Sequence, residues 1–249
     1  MSVPVYPAEV PSLSTSQMAE VDRLMVEKYH IELIQMMENA GRSLAHLARV
    51  RFLDGDPRGK MVVVAAGTGG NGGGALACAR RLSNWGAEVW VVITRPPQAF
   101  APVPAQQLDI LERMNVPISP AEGITAIGSA DRVNLIVDGI IGYSLSGAPR
   151  DGAARLIRWA NEQEAPILAL DTPSGLDTTS GTAFDPAVRA TATLTLALPK
   201  RGLHTPEAEA HVGELYLADI SVPPSLYAEA SVGIMVGQLF AESDIIRLA

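Results

Sequence analysis

Four polar residues of this sequence lie at or shortly after the ends of apolar runs, where their side chains could do chemistry. Asp138 follows the run 134–137, Asp171 and Ser174 follow the run 166–170, and Asn71 lies in a glycine-rich loop after the run 61–66. If the runs are parallel strands, these side chains meet beyond the carboxyl edge of one sheet, where ligands bind. Asp171 is the candidate general acid–base, because a carboxyl group at the mouth of a cleft can give and take a proton. For Asp138 and Asp171 the alternative role is to cap the turn that follows.

The same strand ends could hold a cation. Asn71, Asp138 and Ser174 offer an amide oxygen, a carboxylate and a hydroxyl or carbonyl oxygen. Hard cations take oxygen ligands, and a set with a single formal negative charge suits a weakly held monovalent ion better than a transition metal. The four histidines of the chain show no metal-ligand spacing.

Two loops could bind phosphate. The spacing Gly67-x-Gly69-x-x-Gly72 fits the dinucleotide fingerprint, in which glycine lets the backbone approach an anion and the N–H groups of a helix start point at it. The candidate ligand-binding residues of this glycine loop are Gly70, Asn71, Gly72, Gly73 and Gly74. Those of the second loop are Gly142, Tyr143, Ser144, Leu145, Ser146, Gly147 and Ala148, which could equally form an ordinary glycine–serine loop. Lys200 lies either near the cleft or on a solvated turn.

The elements that must position these residues alternate between strands and helices. A capping-box pattern at Ser14 and Gln17 predicts a helix that starts near Thr15 and ends near Lys28. The other helices are predicted at 31–53, 73–85, 104–114 and 153–162. The strands are predicted at 61–66, 87–93, 117–118, 134–137, 166–170, 190–196, 213–218 and 232–236. The sequence therefore predicts an α/β fold with a mostly parallel sheet and helices on both faces.

Length and composition favour one globular domain over residues 1–249, with residues 1–13 as an extended arm. A net charge of -8 argues against nonspecific binding to nucleic acid or to anionic membranes. No apolar run reaches the ~20 residues that cross a bilayer, and no signal-peptide pattern is visible. One cysteine, Cys78, excludes a disulfide within the chain and favours a reducing compartment. We therefore expect a cytoplasmic protein.

Taken together, the motifs resemble those of the YjeF N-terminal domain family, whose enzymes are NAD(P)H-hydrate epimerases. The resemblance rests on the glycine–asparagine loop, the strand end at Asp138 with its glycine loop, the segment Asp-Thr-Pro-Ser-Gly-Leu-Asp at 171–177, and Pro-Lys-Arg-Gly-Leu at 199–203. The helical segment 36–42, Met-Met-Glu-Asn-Ala-Gly-Arg, is similar to a further signature of that family. These motifs follow one another in the family's order over residues 14 to 225.

The resemblance implies a three-layer αβα Rossmann-like domain that forms a homodimer and binds a potassium ion through Asn71, Asp138 and Ser174. It implies a hydrated NADH or NADPH substrate, whose R and S epimers at C6 of the nicotinamide ring the enzyme interconverts with Asp171 as the acid–base. A separate dehydratase would then repair the S epimer. Arg95 follows the second strand where ordinary NAD enzymes carry an acidic residue, which disfavours a nicotinamide-dependent oxidoreductase.

The chain departs from the family's usual loop, Asn-Asn-Gly-Gly-Asp, at two positions. Gly70 stands in place of the first asparagine, and Gly74 stands in place of the aspartate. An alternative therefore stays open, in which the chain is a catalytically weak or inactive nucleotide-binding or scaffold domain of the same fold.

Overall fold

The computed structural model of the protein describes residues 3–126 and 133–248, so residues 1 and 2 of the predicted arm lie outside it. An eight-stranded sheet runs through the centre in the order β3-β2-β1-β4-β5-β6-β7-β8. Strands β1 to β7 are parallel, and β8 is antiparallel to β7. The strands are β1 Met61–Ala66, β2 Glu88–Ile93, β3 Ile118–Pro120, β4 Val133–Gly139, β5 Ile167–Leu170, β6 Ala192–Leu196, β7 Glu214–Ala218 and β8 Ile245–Arg247.

Among the described residues, the first five α-helices correspond to the five that the sequence predicts, and the two short ones near the C-terminus were not predicted. The helices are α1 Thr15–Glu27, α2 Leu33–Phe52, α3 Gly70–Asn84, α4 Pro102–Arg113, α5 Asp151–Asn161, α6 Glu209–Val212 and α7 Pro224–Tyr227. Short 3-10 turns occupy Pro97–Ala99, Ala121–Ala126, Arg201–His204 and Pro206–Ala208. No helix among the described residues is long and apolar enough to cross a membrane.

The sheet is buried on both faces, which confirms the three-layer αβα fold. Val62 and Val64 of β1 belong to one buried cluster together with apolar side chains of α1, α2, α3 and α4. Val63 and Ala65 point the other way, into a second cluster that α5 completes with Leu156 and Ile157. Successive residues of a strand point to opposite faces, so the unbroken aliphatic run of β1 supplies both cores.

The sheet changes direction at β1. From β1 the order proceeds to β2 and β3 on one side and to β4 and the later strands on the other. A crevice opens at such a switch point beyond the carboxyl ends of the strands. The loops that follow Ala66 of β1 and Gly139 of β4 therefore adjoin each other at this place.

The N-terminal arm is tied to the sheet rather than free. Val5 forms a bridge with Arg247 of β8, and Leu13 forms a parallel bridge with Lys200. The arm ends at Ser14, which caps α1 through the predicted capping box with Gln17. Leu13 is fully buried, so the arm closes over the segment that carries Lys200.

One predicted strand is wrong. Residues 232–236 form an irregular segment, and the last strand is Ile245–Arg247. Val232 is buried in the core cluster from this irregular backbone, while its carbonyl accepts a hydrogen bond from the Gln17 side chain at 2.9 Å. The apolar pattern of the segment therefore reflects packing without a strand.

Candidate active site

A cavity of about 800 Å³ lies at the switch point of the sheet. Its wall includes the start of the glycine loop from Gly67 to Asn71, Asp171 at the end of β5, and the whole 142–148 loop. The structure thus brings together the two loops and the acid–base candidate that the sequence predicts. A cavity of this size is in the range of small-molecule and cofactor sites.

Glycine is required where the two strand-end loops touch. A Cβ on Gly67 would lie 1.9 Å from the carbonyl oxygen of Ile140, and a Cβ on Gly72 would lie 1.8 Å from the carbonyl oxygen of Gly67. Helix α3 begins at Gly70 beside this contact. The first N–H groups of a helix have no partner within it, so the start of α3 offers donors to an anion in the cavity.

Three of the predicted ligand-binding glycines, Gly72, Gly73 and Gly74, do not line the cavity. All three are buried inside α3. A Cβ on Gly73 would lie 2.5 Å from the sulfur of Met37, and a Cβ on Gly74 would lie 2.8 Å from Cδ2 of Leu170. Their assignment as substrate contacts stays a prediction. In this structure, α3 packs closely against α2 and β5 because these glycines have no side chains.

Asn71 bridges two strand ends. Its Nδ2 donates a hydrogen bond to the carbonyl of Leu170 at 3.0 Å, and its side chain lies 3.4 Å from where a Cβ on Gly142 would stand. With the nitrogen so occupied, the amide oxygen remains as an acceptor. Asn71 also lines the cavity.

Asp138 and Ser174 join the ends of β4 and β5. Asp138 accepts hydrogen bonds from the Ser174 N–H at 2.8 Å and the Ser174 hydroxyl at 2.6 Å, and from the Ile140 N–H at 3.2 Å. Both side chains are buried. These contacts are those of a turn-capping residue, the alternative role that the sequence left open.

Asp138 is nevertheless unusual in its charge. No ion pair engages it in the described ranges, and burial raises the pKa of its carboxyl to about 6. A buried carboxylate without a cationic partner is costly, so a bound cation would stabilise it. Nowhere in the described ranges do three histidine, cysteine, aspartate or glutamate side chains gather as a metal site, which leaves amide, hydroxyl and carbonyl oxygens as the other ligands.

Asp171 forms a buried ion pair with Lys200. The Lys200 ammonium donates to Asp171 Oδ1, to the carbonyl of Leu196 at 3.0 Å and to the hydroxyl of Thr195 at 3.3 Å. Lys200 is fully buried, and Asp171 is 4% exposed. The solvated turn that the sequence allowed for Lys200 is therefore wrong, since all three donors of the ammonium find acceptors inside the protein.

The backbone of Asp171 contributes to its orientation. Its φ of 65° lies in the left-handed region, which aspartate tolerates better than most residues. The N–H of Asp171 is held by the Leu194 carbonyl at 2.7 Å, and Leu196 N–H approaches Oδ1 at 3.3 Å. No hydrogen bond among the described residues engages Oδ2, and Asp171 lines the cavity, so this oxygen is free for a ligand.

The sequence interpretation missed Asp22 of α1. Asp22 lines the cavity and accepts a hydrogen bond from the hydroxyl of Tyr143 at 2.5 Å. The available signal was its position on the buried face of α1, since Met18 and Met25 stand four residues before it and three after it and are buried. A carboxyl group on the apolar side of an amphipathic helix indicates a polar partner or a ligand.

Arg95 also lines the cavity, at its outer rim. Its side chain is 63% exposed, and its contact with Asp151 at 3.7 Å joins two exposed groups. Such surface pairs contribute little to stability. An apolar stretch of the wall, made by Leu33, Met36 and Met37 of α2, faces the same space.

The chain matches the family described as YjeF-related protein N-terminus over residues 33–202. It is 40% identical to the NAD(P)H-hydrate epimerase of Dehalogenimonas lykanthroporepellens, over 90% of this chain and 87% of that protein. It is 35% identical to the NAD(P)H-hydrate epimerase of Truepera radiovictrix, over 88% and 94% of the two chains.

Two further comparisons extend the match. The bifunctional NAD(P)H-hydrate repair enzyme Nnr of Salinibacter ruber is 34% identical over 89% of this chain but only 42% of its own length, so the chain spans less than half of that relative. The crystal structure of the yeast protein ynu0 superposes with a TM-score of 0.79 at 25% identity, over 96% of this chain and 100% of that one.

Substitution of Gly74 tests whether the glycine that replaces the family's aspartate is needed for close packing of α3. We expect Gly74→Asp to lower the free energy of unfolding by at least about 2 kcal/mol, because the new carboxylate would be buried against Leu170. Gly70→Asn should stay within about 0.5 kcal/mol of wild type, because only the Met37 methyl, at 4.0 Å, lies near its Cβ position. Urea titration followed by circular dichroism measures both, and equal stabilities of the two variants would contradict the prediction.

Lys200 tests the buried ion pair. Lys200→Met should lower the free energy of unfolding by about 3–5 kcal/mol, because it leaves the Asp171 carboxylate buried without its cation. The double variant Asp171→Asn with Lys200→Met removes both charges and should recover most of that loss. Chemical denaturation of wild type, single and double variants decides the matter, and a double variant no more stable than the single one would argue against it.

Proposed function

As the chain belongs to the family of the YjeF-related protein N-terminus, we propose that it is an NAD(P)H-hydrate epimerase, an isomerase that interconverts the R and S forms of hydrated NADH and NADPH. The observation that carries the proposal is the meeting of the glycine loop, the 142–148 loop and Asp171 around one cavity. Two relatives that are epimerases by name share 35–40% of their residues with it over most of both chains.

In this proposal the two ends of the dinucleotide bind to different parts of the cavity wall. The start of α3 at Gly70 and the 142–148 loop offer backbone N–H groups and the hydroxyls of Ser144 and Ser146 for pyrophosphate and ribose. Asp171 lies at the end of β5, where the reacting ring would sit. The apolar wall from α2 would pack against the ring and limit water there.

The chemistry at C6 needs a group that moves protons. C6 carries both the hydroxyl and the ring nitrogen, so departure of the protonated hydroxyl leaves an iminium-like centre that water can attack from either face. Asp171 is the general acid–base in this proposal. Lys200 holds its Oδ1 and leaves Oδ2 for the substrate or water. A carboxylate fixed by a buried partner loses little orientational freedom on binding.

We also propose that a potassium ion binds beside this centre through Asn71, Asp138 and Ser174. The residues fit such an ion, because Asp138 is a buried carboxylate with no cationic partner among the described residues, and the Asn71 oxygen is left as an acceptor. The ion would supply fixed positive charge. It would also hold the ends of β4 and β5 in place beside the substrate.

The remaining parts of the proposal follow from the family. The protein would act as a homodimer in the cytoplasm, where its single cysteine, which is buried, stays reduced. A separate NAD(P)H-hydrate dehydratase would consume the S epimer. Neither nucleic acid nor a membrane is a partner in this proposal, in keeping with the net charge of -8.

The activity has a direct test. The pure R epimer of hydrated NADH is incubated with the protein in potassium buffer, and formation of the S epimer is followed by chromatography against the spontaneous rate. We expect clear acceleration, and Asp171→Asn should lower the rate about 10²-fold. Asp185→Asn is the matched control, because this side chain is 95% exposed.

Two outcomes of this experiment would count against the enzyme. A folded wild-type protein that leaves the spontaneous rate unchanged would support the inactive nucleotide-binding or scaffold alternative. Equal loss of activity in Asp171→Asn and Asp185→Asn would remove the special role of Asp171. The double variant Asp171→Asn with Lys200→Met separates charge balance from catalysis, because it should fold well and still be inactive.

Potassium binding is tested by stability. At ten times its Kd the ion should add about 1.4 kcal/mol to the free energy of unfolding, relative to tetramethylammonium at equal ionic strength. Asp138→Asn should abolish this difference, because it removes the charged ligand. Thermal melts in the two chloride salts measure the effect, and identical Tm values for wild type in both would rule out the site.

A further inference from the structure

A second carboxylate, Asp22, stands at the cavity without a role in the mechanism described above. It belongs to α1, whereas Asp171 belongs to the end of β5. Both line the same cavity. Asp22 is partly buried, and it takes part in no ion pair in the ranges that the structure describes.

The two carboxylates are held in the same way. Tyr143 donates its hydroxyl to Oδ2 of Asp22 at 2.5 Å, as Lys200 donates its ammonium to Oδ1 of Asp171. Within the described part of the chain, no hydrogen bond engages the second oxygen of either carboxylate. Each therefore presents one fixed, unpaired oxygen to the cavity, which is the arrangement that proton transfer needs.

The surroundings of the two differ. Burial raises the pKa of Asp22. The hydrogen bond from Tyr143 and the charge of Lys200 act in the opposite direction, and the charge of Asp171 reinforces the rise. These three side chains come from the 142–148 loop, from the segment after β6 and from the end of β5. Asp171, in contrast, faces the Lys200 ammonium directly.

Inversion at C6 requires proton transfer on both faces of the ring. The hydroxyl leaves from one face, and the attacking water must lose its proton on the opposite face. One fixed carboxylate can serve only the face that it adjoins, unless the ring turns over in the site. Pairs of titratable groups in different environments divide such acid and base roles.

We propose that Asp22 is the second catalytic residue of the epimerase, acting on the face of the nicotinamide ring opposite Asp171. This inference rests on the proposed function. In one direction protonated Asp22 gives its proton to the C6 hydroxyl. The C–O bond then breaks, the oxygen leaves as water with the bonding electron pair, and the lone pair of the ring nitrogen forms the iminium. On the other face Asp171 takes a proton from a water as its oxygen bonds to C6. The opposite direction exchanges the two roles.

Oxygen exchange tests the assignment. In water enriched in ¹⁸O, wild type should invert C6 with label incorporated at the new hydroxyl. Asp22→Asn should invert about 10²-fold more slowly, yet still exchange label into the epimer whose hydroxyl faces Asp171. Asp171→Asn should keep exchange only in the other epimer. Mass spectrometry of the separated epimers, corrected for the rate without protein, measures both.

Controls keep the test sharp. Glu27→Gln changes an exposed side chain of the same helix and should leave exchange and inversion at wild-type rates. Tyr143→Phe keeps the ring but frees Oδ2 of Asp22. In the epimer whose hydroxyl faces Asp171, this variant should lower the ratio of inversion to exchange about tenfold. It therefore provides a second readout should Asp22→Asn fold poorly.

The outcomes separate the two proposals. Exchange and inversion that fall in proportion in Asp22→Asn, or exchange retained in the same epimer by both aspartate variants, would overturn the role of Asp22 while leaving the epimerase intact. Wild type that accelerates neither process would overturn the proposed function and this inference with it. One-sided exchange in opposite epimers would support both.

Discussion

The candidate active site depends on the buried ion pair between Lys200 and Asp171. Lys200 is fully buried, so its ammonium must find all its acceptors inside the protein. Two parts of the fold supply the acceptors, because Asp171 lies at the end of β5 and Thr195 and Leu196 belong to β6. The N-terminal arm covers the same segment through the bridge between Leu13 and Lys200. The N-terminal arm, which the sequence predicts as an extended segment, thus packs over the residue that holds the candidate acid–base.

Three buried or partly buried aspartates in and around that pair differ in the groups that balance their negative charge. Asp171 is matched by Lys200, while Asp22 has a tyrosine hydroxyl and Asp138 has only hydroxyl and amide donors. Burial without a cation raises the pKa of Asp138 to about 6 and also raises that of Asp22. The same low-dielectric surroundings are the reason that we propose a bound cation at Asp138 and proton transfer at Asp22. The glycines of α3 make this arrangement possible, because they let the helix start approach the strand ends closely.

Most of the elements could be predicted from the sequence because their signals are local. The capping box at Ser14 gave the start of α1, and β1 has its predicted bounds. The prediction failed at 232–236, where apolar residues pack from an irregular segment. It also missed β8, whose three residues gain their structure from pairing with β7. A strand that short carries too little periodicity to be seen without its partner.

The sequence by itself determined the fold class. It also identified the glycine loop, the 142–148 loop and Asp171, which line the cavity beyond the strand ends, because each of these motifs consists of consecutive residues. The tertiary structure decided the contacts between residues that are far apart in the sequence. It placed Asp22 against Tyr143, 121 residues away, and buried Lys200 against Asp171, 29 residues away. It also showed that Leu170 packs beside Gly74. Such contacts arise from the packing of separate elements, and no local pattern encodes them.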